Sequence, residues 1–159
     1  GLVGSEMCIR DRSAARRGPP HRASHRPVNA MLERLIYQSQ ATQDFGSLHL
    51  FHLLTQARLR NQQLAITGHL LYWRGQFTQC IEGPPDAIEQ LWQSLQRDER
   101  HTDIRLMGRQ PIERRRFQEW SMAFSSYASL YVHGMTGFFP VDGQGQTPLV
   151  ILCTEGQAC

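Results

Sequence analysis

The feature that most constrains the fold is a pair of apolar runs, residues 66–73 and 76–82, separated only by Arg74 and Gly75. Both runs are rich in β-branched and aromatic residues, which favour strands. Gly75 can adopt the positive φ angle that a two-residue turn requires. The sequence therefore predicts a β-hairpin with two antiparallel strands.

The second strand of this hairpin carries a glutamine among apolar neighbours. Side chains alternate between the two faces of a strand, so Gln79 shares a face with Phe77 and Ile81 and is expected to point into the core. An unpaired buried polar group costs roughly 1–3 kcal/mol, so the Gln79 amide must meet a polar partner. That partner is either a neighbouring backbone group, water at the sheet margin, or a bound ligand.

Periodicity predicts a strand and a helix before the hairpin. Residues 32–39 read as a short strand. An apolar stripe that begins at Leu50 predicts a helix over residues 48–61, with Ser47 as its cap. The stripe ends on Asn61, which is either an amide on the buried face or a helix-terminating residue.

Three further elements are predicted after the hairpin. A second helix ends near residues 97–101, and residues 104–107 form a fourth strand. Trp120, Met122 and Phe124 are predicted to alternate onto one face of a fifth strand. Because three large exposed apolar groups would be unfavourable, that face is expected to pack against the domain.

This order of elements predicts an α+β fold, a ferredoxin-like β-α-β-β-α-β-β sandwich with a mixed sheet and two helices on one face. The first and third strands lie side by side in the middle of such a sheet, which makes Tyr37 and Gln79 neighbours. If Asn61 faces the same way, a phenol and two amides converge in an apolar slot between the helices. Such a slot suits a planar heterocycle with carbonyl and imide groups.

Residues 1–30 lack helical or strand periodicity and are predicted to be disordered. Their opening is similar to translated sequencing-adapter sequence, which predicts an artefactual leader and a natural start at Met31. They contain six Arg against Glu6 and Asp11, a net charge of +4, and the whole chain is +3, so residues 31–159 carry −1. Nucleic-acid binding by the folded part is therefore not predicted.

The remaining composition predicts a cytoplasmic domain. No apolar run approaches the length of a membrane span. The four cysteines show neither metal-ligand nor disulfide spacing, so no metal site is expected and a reducing compartment is favoured. Residues 126–159 are predicted to be a C-terminal extension with a short helix at 126–132, a glycine-rich loop and an apolar stretch at 149–152.

Four blocks of the chain, taken in order, are similar to BLUF domains, which are blue-light sensors that bind flavin. The resemblance covers residues 32–125 and centres on the hairpin. The blocks are residues 34–39 (RLIYQS), 67–84 (TGHLLYWRGQFTQCIEGP), 98–101 (DERH) and 115–122 (RRFQEWSM).

The resemblance implies a flavin between the two helices, usually FAD, with FMN as the alternative. It implies that Tyr37 is the electron and proton donor, that Gln79 is the amide that switches its hydrogen bonds, and that Asn61 bonds the imide edge of the flavin. The residue before Asn61 is often Asn or His in relatives and is Arg60 here. One expected contact of the family is therefore either missing or replaced.

The resemblance also implies a polar side to the flavin site and an output path. Asp98 and Arg100 match positions near the polar side, although such a charged cluster is also typical of a solvated helix end. Trp120 and Met122 match the pair that carries the signal outwards. The implied output is binding to an unidentified downstream protein or self-association.

Two other functions use a similar architecture. An acylphosphatase-like hydrolase needs a phosphate loop with an Arg between the first strand and the first helix, and residues 38–47 contain no Arg. A cofactor-free regulatory interaction domain is consistent with the fold alone. The sequence favours a light sensor over an enzyme.

Overall fold

The computed structural model describes residues 31–142 and residue 144. The predicted leader and the apolar stretch at 149–152 lie outside the described residues. The elements are β1 (Leu32–Ala41), α1 (Ser47–Gln63), β2 (Thr67–Trp73), β3 (Gln76–Gly83), α2 (Pro85–Gln96), β4 (His101–Ile112), β5 (Ala123–Ser125) and a short 3-10 helix (Ala128–Leu130).

The five strands form one mixed sheet in the order β4-β1-β3-β2-β5. Strand β1 pairs antiparallel with both β3 and β4, and β2 pairs antiparallel with β3. Strand β5 pairs parallel with β2. The first and third strands are therefore adjacent near the centre of the sheet, as the order of elements predicts.

The hairpin between β2 and β3 has the predicted two-residue turn. Trp73 lies opposite Gln76, and the two residues between them, Arg74 and Gly75, have φ angles of 52° and 75°. Two consecutive positive φ angles match the right-handed twist of the flanking strands. This turn fixes the register of β3 and hence the face on which Gln79 lies.

One face of the sheet carries the main core and both helices. Residues such as Leu35 and Ile81 from the strands pack in the same cluster as Leu54 from α1 and Leu91 from α2. A second, smaller cluster of Cys80, Phe117 and Ile36 lies on the opposite face. Within the described part of the chain, no helix is both long and apolar enough to cross a membrane.

The prediction that Ser47 caps α1 is wrong. The helix begins at Ser47 itself, and Gly46 occupies the capping position without a side-chain hydrogen bond. The Leu50 amide donates instead to the Gly46 carbonyl at 3.0 Å. Strand β4 is also much longer than residues 104–107, because its pairing with β1 continues from Leu32 to Ala41.

The predicted fifth strand is shorter than expected and begins at Ala123, while Met122 and Phe124 both pack in the main core. Trp120 and Met122 precede β5, which covers only three residues, and every residue of β5 is buried. Phe124 donates to the Gly137 carbonyl and accepts from the Phe139 amide, both at 2.8 Å. Both faces of β5 are covered, because Phe124 lies in the main core and Ser125 bonds the buried His69 on the other face, so burial along β5 does not alternate.

Candidate functional site

Tyr37 and Gln79 form the centre of the site. They lie directly opposite each other on the neighbouring strands β1 and β3, and each is only 3% exposed. The Tyr37 hydroxyl donates to Gln79 Oε1 at 2.6 Å. The partner that the Gln79 amide requires is therefore, at its oxygen end, a phenol rather than a backbone group.

The other end of the Gln79 amide faces a sulfur. Gln79 Nε2 lies 3.5 Å from Met122 Sδ, and Met122 is fully buried just before β5. A thioether is a weak acceptor, so this end of the amide is held less firmly than the oxygen end. Tyr37, Gln79 and Met122 make a continuous row of contacts under the helices.

A cleft between α1 and α2 opens onto this row. It contains about 550 Å³ of space between atoms, part of it open to solvent. Apolar side chains form its walls, and polar side chains lie at its floor and rim, a combination typical of small-molecule sites. The apolar walls are Leu53, Ala57, Leu70, Phe77 and Leu95, and the polar groups are Tyr37, Gln56, Arg60, Gln79, Asp98, Arg100 and His101.

Asp98 and Arg100 both line the cleft, where they form an ion pair. Arg100 Nη2 lies 2.6 Å from Asp98 Oδ2, and Arg100 Nη1 donates to Gln56 Oε1 at 3.2 Å. The Arg100 guanidinium holds the pKa of Asp98 below its usual value. The Asp98–Arg100 pair therefore makes one side of the cleft polar, and Gln56 connects this pair to α1.

Arg60 also lines the cleft, and it forms no ion pair at contact distance with a carboxylate among the described residues. Its Nε atom is buried and has no hydrogen-bond partner in the same part of the chain. Burial lowers the pKa of Arg60. A buried donor without a partner is costly, so this atom marks a place where a ligand acceptor would be favourable.

Asn61 does not line the cleft. Its Nδ2 donates to the Ser121 carbonyl at 2.8 Å, which ties α1 to the segment before β5. Its Oδ1 is buried and has no partner among the described residues. The structure therefore brings Tyr37 and Gln79 together but turns the Asn61 amide towards Ser121, contrary to the expected convergence of all three side chains.

The Tyr37 phenol is held in its protonated form. Burial, the largest cause, raises the pKa of Tyr37 well above its usual value, and the positive charge of Arg60 partly opposes this. A protonated hydroxyl can donate to Gln79 Oε1, as the geometry requires. Burial therefore keeps the proton of this hydrogen bond on the Tyr37 oxygen.

His101 is a site residue that the sequence reasoning treated only as part of a charged cluster. It is buried at the start of β4, where its two ring nitrogens lie 2.7 Å from Ser39 Oγ and 2.9 Å from the Leu95 carbonyl. Its ring lies 6.0 Å from that of Tyr37.

Trp120 lies away from the cleft. Its indole packs on Phe139, with ring centroids 6.0 Å apart, and its carbonyl accepts from the Gly68 amide at 3.1 Å. Of the two predicted relay residues, only Met122 contacts Gln79. The cleft thus has a phenol and an amide at its floor, a partnerless donor on Arg60 and apolar walls, which fits a planar heterocycle with acceptor groups.

Residues 32–123 match the family model for BLUF, described as sensors of blue-light using FAD. The chain is similar to the photoactivated adenylate cyclase subunit beta of Euglena longa, with 41% identity over 95 residues, which is 59% of this chain and 11% of that protein. The chain therefore spans about a tenth of the length of this curated relative.

Two solved structures are similar in fold and sequence. BlrB, a BLUF protein in its dark state, gives a TM-score of 0.59 at 35% identity, covering 64% of this chain and 77% of that one. BlsA in its photo-activated state gives 0.56 at 36% identity, covering 59% of this chain and 69% of that one. The residues that match the family model contain the Tyr37–Gln79–Met122 row.

Proposed function

The chain belongs to the BLUF family of blue-light sensors, which use a bound flavin, and we propose that Tyr37 and Gln79 are its light-responsive pair. The observation that carries the proposal is the row from the Tyr37 hydroxyl through the Gln79 amide to the Met122 sulfur, with distances of 2.6 and 3.5 Å. Tyr37 and Gln79 of this row line the cleft between α1 and α2, which has apolar walls from both helices.

Tyr37 is proposed as the donor of an electron and a proton. When bound, the flavin supplies blue-light absorption and an excited state that accepts an electron. Tyr37 lies at the cleft floor with its hydroxyl proton directed at Gln79 Oε1. Loss of an electron makes a phenol strongly acidic, so the same hydrogen bond provides the first step of a path for its proton.

Gln79 is proposed as the switch. A primary amide has nearly the same shape after rotation or tautomerisation, but its donor and acceptor ends are exchanged. Either change reverses the hydrogen bond to Tyr37, and rotation also exchanges the atom that faces Met122 Sδ. The protein can therefore change its hydrogen bonding while the neighbouring side chains and backbone move little.

The flavin is proposed to be FAD, following the description of the family. Arg60, Asp98 and Arg100 line the cleft and would meet its polar groups. Asn61 is proposed to bond the imide edge with its buried Oδ1, which has no partner among the described residues. This requires the flavin ring to extend past the lining of the cleft towards the end of α1, because Asn61 does not line the cleft itself. FMN has the same ring system, so the choice between FAD and FMN depends on groups beyond the ring.

The output is proposed to pass through Met122 and Trp120 to a partner protein or to self-association. Met122 is in contact with Gln79, and the Trp120 carbonyl is bonded to β2. A change at Gln79 thus has a direct route to the segment before β5. A cytoplasmic location remains a prediction.

Absorption spectra of the purified protein test the proposal. The wild type should contain a flavin and show a reversible red shift after blue light. Tyr37→Phe keeps the ring but removes the hydroxyl, so it should bind flavin and fail to form a long-lived red-shifted state. Tyr72→Phe is the matched control, because Tyr72 is equally buried but bonds the Phe45 amide outside the cleft. A normal photocycle in Tyr37→Phe would remove Tyr37 from the mechanism.

A further inference from the structure

Arg58 connects α1 to two segments that are distant in sequence. Its Nε donates to the Met122 carbonyl at 2.9 Å, and its Nη2 donates to the Thr136 carbonyl at 2.6 Å. Its Nη1 also lies 3.4 Å from Thr136 Oγ1. Among the described residues, the charge of this half-buried guanidinium is met by carbonyl and hydroxyl oxygens rather than by a carboxylate. Arg58 thus holds two backbones at a fixed separation, because its donor groups lie in one rigid plane.

The segment bound by Arg58 runs along the outer edge of β5. Gly137 accepts from the Phe124 amide and Phe139 donates to the Phe124 carbonyl, both at 2.8 Å. Residues 136–139 are called the edge segment below. Because β5 has β2 on its other side, the edge segment is the outermost backbone at this end of the sheet within the described residues.

Gly137 brings the edge segment unusually close to its neighbours. Its φ angle is +70°, which favours glycine. A Cβ atom at this position would lie 2.8 Å from Arg58 Nη2 and 2.8 Å from Trp120 Cε3. The glycine backbone therefore sits against both the guanidinium and the indole, with no space for either to move towards it.

These contacts join the proposed switch to the surface. Gln79 contacts the Met122 side chain, and Arg58 contacts the Met122 carbonyl. We infer that Arg58 is a positioning residue that couples Met122 to the edge segment, so that a change at Gln79 alters the edge segment and the exposed side chain of Phe139. The inference rests on the proposed role of Gln79.

Hydrogen–deuterium exchange of the full chain with bound flavin tests this coupling. In the wild type, peptides over residues 134–140 should exchange differently in light and in darkness. Arg58→Met keeps the aliphatic stem but removes the donors, so this difference should fall by more than half while the flavin red shift is retained. Arg105→Met is the control, since Arg105 is exposed on β4, and it should keep the full difference.

The outcomes separate the coupling from the light reaction. A full light–dark difference in Arg58→Met overturns the inference, as does a wild type that shows the red shift but no difference over residues 134–140. A wild type without a red shift contradicts the proposed function instead.

If the edge segment of Arg58→Met is fully exchanged even in darkness, Arg58→Lys is measured. Lysine keeps the charge but not the planar fork, so the difference should again fall by more than half, and a full difference overturns the inference.

Discussion

At the scale of single residues, the Gln79 side chain is held strongly at one end and weakly at the other. Its oxygen accepts a short hydrogen bond from a buried phenol, whereas its nitrogen faces a thioether. Neutral hydrogen bonds contribute about 1 kcal/mol each, and a sulfur acceptor contributes less. Exchanging the two ends of the amide therefore loses little interaction free energy at Met122. A small free-energy difference between the two arrangements is what a reversible switch needs.

Replacing Gln79 by leucine separates its structural role from its proposed function. Gln79→Leu keeps approximately the same volume and removes the need to pair a buried amide, so the free energy of unfolding should hold within about 1 kcal/mol or rise. The flavin should remain bound. The light-induced red shift should disappear, because no amide remains to exchange its hydrogen bonds. Absorption before and after blue light measures this.

The control for Gln79→Leu is Gln38→Leu. Gln38 lies on the adjacent strand β1 but on the opposite face, where it bonds Thr78 Oγ1 at 3.3 Å. This variant should retain the red shift. A reversible shift in Gln79→Leu would leave Gln79 as a structural amide.

His69 is a buried base that should make stability depend on pH. It is completely inaccessible, its Nε2 lies 2.8 Å from Ser125 Oγ, and burial lowers its pKa from 6.5 to about 4. The unfolded chain takes up the proton near pH 6.5, while the folded chain takes it up only near pH 4. The contribution of neutral His69 to the free energy of unfolding is therefore present above pH 6.5 and lost as the pH falls towards 4. At about 1.4 kcal/mol per pKa unit, the loss from His69 is about 3 kcal/mol.

Urea denaturation at pH 7 and at pH 4 measures this effect. His69→Gln keeps a polar group towards Ser125 but cannot be protonated, so its stability should fall by about 3 kcal/mol less between the two pH values. Equal falls in the wild type and in His69→Gln would show that other groups cause the acid sensitivity.

At the scale of elements, prediction succeeded where the periodicity was strong. The hairpin was predictable because apolar and β-branched residues flank a glycine turn, and α1 was predictable from its stripe at Leu50, Leu54 and Ala57. The bounds of β5 were not predictable, because the strand has only three residues and both of its faces are covered, by the main core at Phe124 and by His69 at Ser125. A strand that is covered on every side has no alternating pattern to detect.

A buried ion pair anchors the segment before β5 to the sheet. Arg34 Nη2 and Glu82 Oε2 are 2.6 Å apart, and both side chains are almost inaccessible. The other Glu82 oxygen accepts from the backbone amides of Arg116 and Phe117 at 2.8 and 3.1 Å. One carboxylate therefore joins β1, β3 and the segment that leads to Trp120.

Removing the charge of Glu82 should be strongly destabilising. Glu82→Gln can still accept from the backbone amides, but it replaces the carboxylate oxygen that faces the buried Arg34 guanidinium by an uncharged amide, and breaking a buried ion pair in this way typically costs about 3 kcal/mol or more. Chemical denaturation gives the free energy of unfolding. Glu119→Gln, at an exposed position in the same segment, should change it by less than about 0.5 kcal/mol. A Glu82→Gln protein as stable as this control would contradict the anchoring role.

At the scale of the whole molecule, strand order alone places Tyr37 beside Gln79. That part of the site was predictable, because a ferredoxin-like order brings the first and third strands together. The direction of the Asn61 amide was not predictable, since it depends on the Ser121 carbonyl, which is distant in sequence and precedes β5. The contacts of Arg58 were not predictable either, because its partner Thr136 lies in a stretch that has no helical or strand pattern.

The cleft itself predicts how the whole domain should respond to different flavins. A ligand that binds only the folded state stabilises it, by about 2.7 kcal/mol at a concentration of 100 Kd. Asp98 compensates the charge of Arg100, whereas Arg60 has no carboxylate partner among the described residues. Flavins that carry phosphate should therefore raise the thermal midpoint of the flavin-free protein more than riboflavin does. Thermal unfolding with FAD, FMN and riboflavin at equal concentration measures this, and the larger of the FAD and FMN shifts identifies the preferred cofactor.

Arg60→Met should reduce the advantage of the phosphorylated flavins, while Arg105→Met should not. Equal stabilisation by riboflavin and FAD would mean that binding depends on the ring system alone.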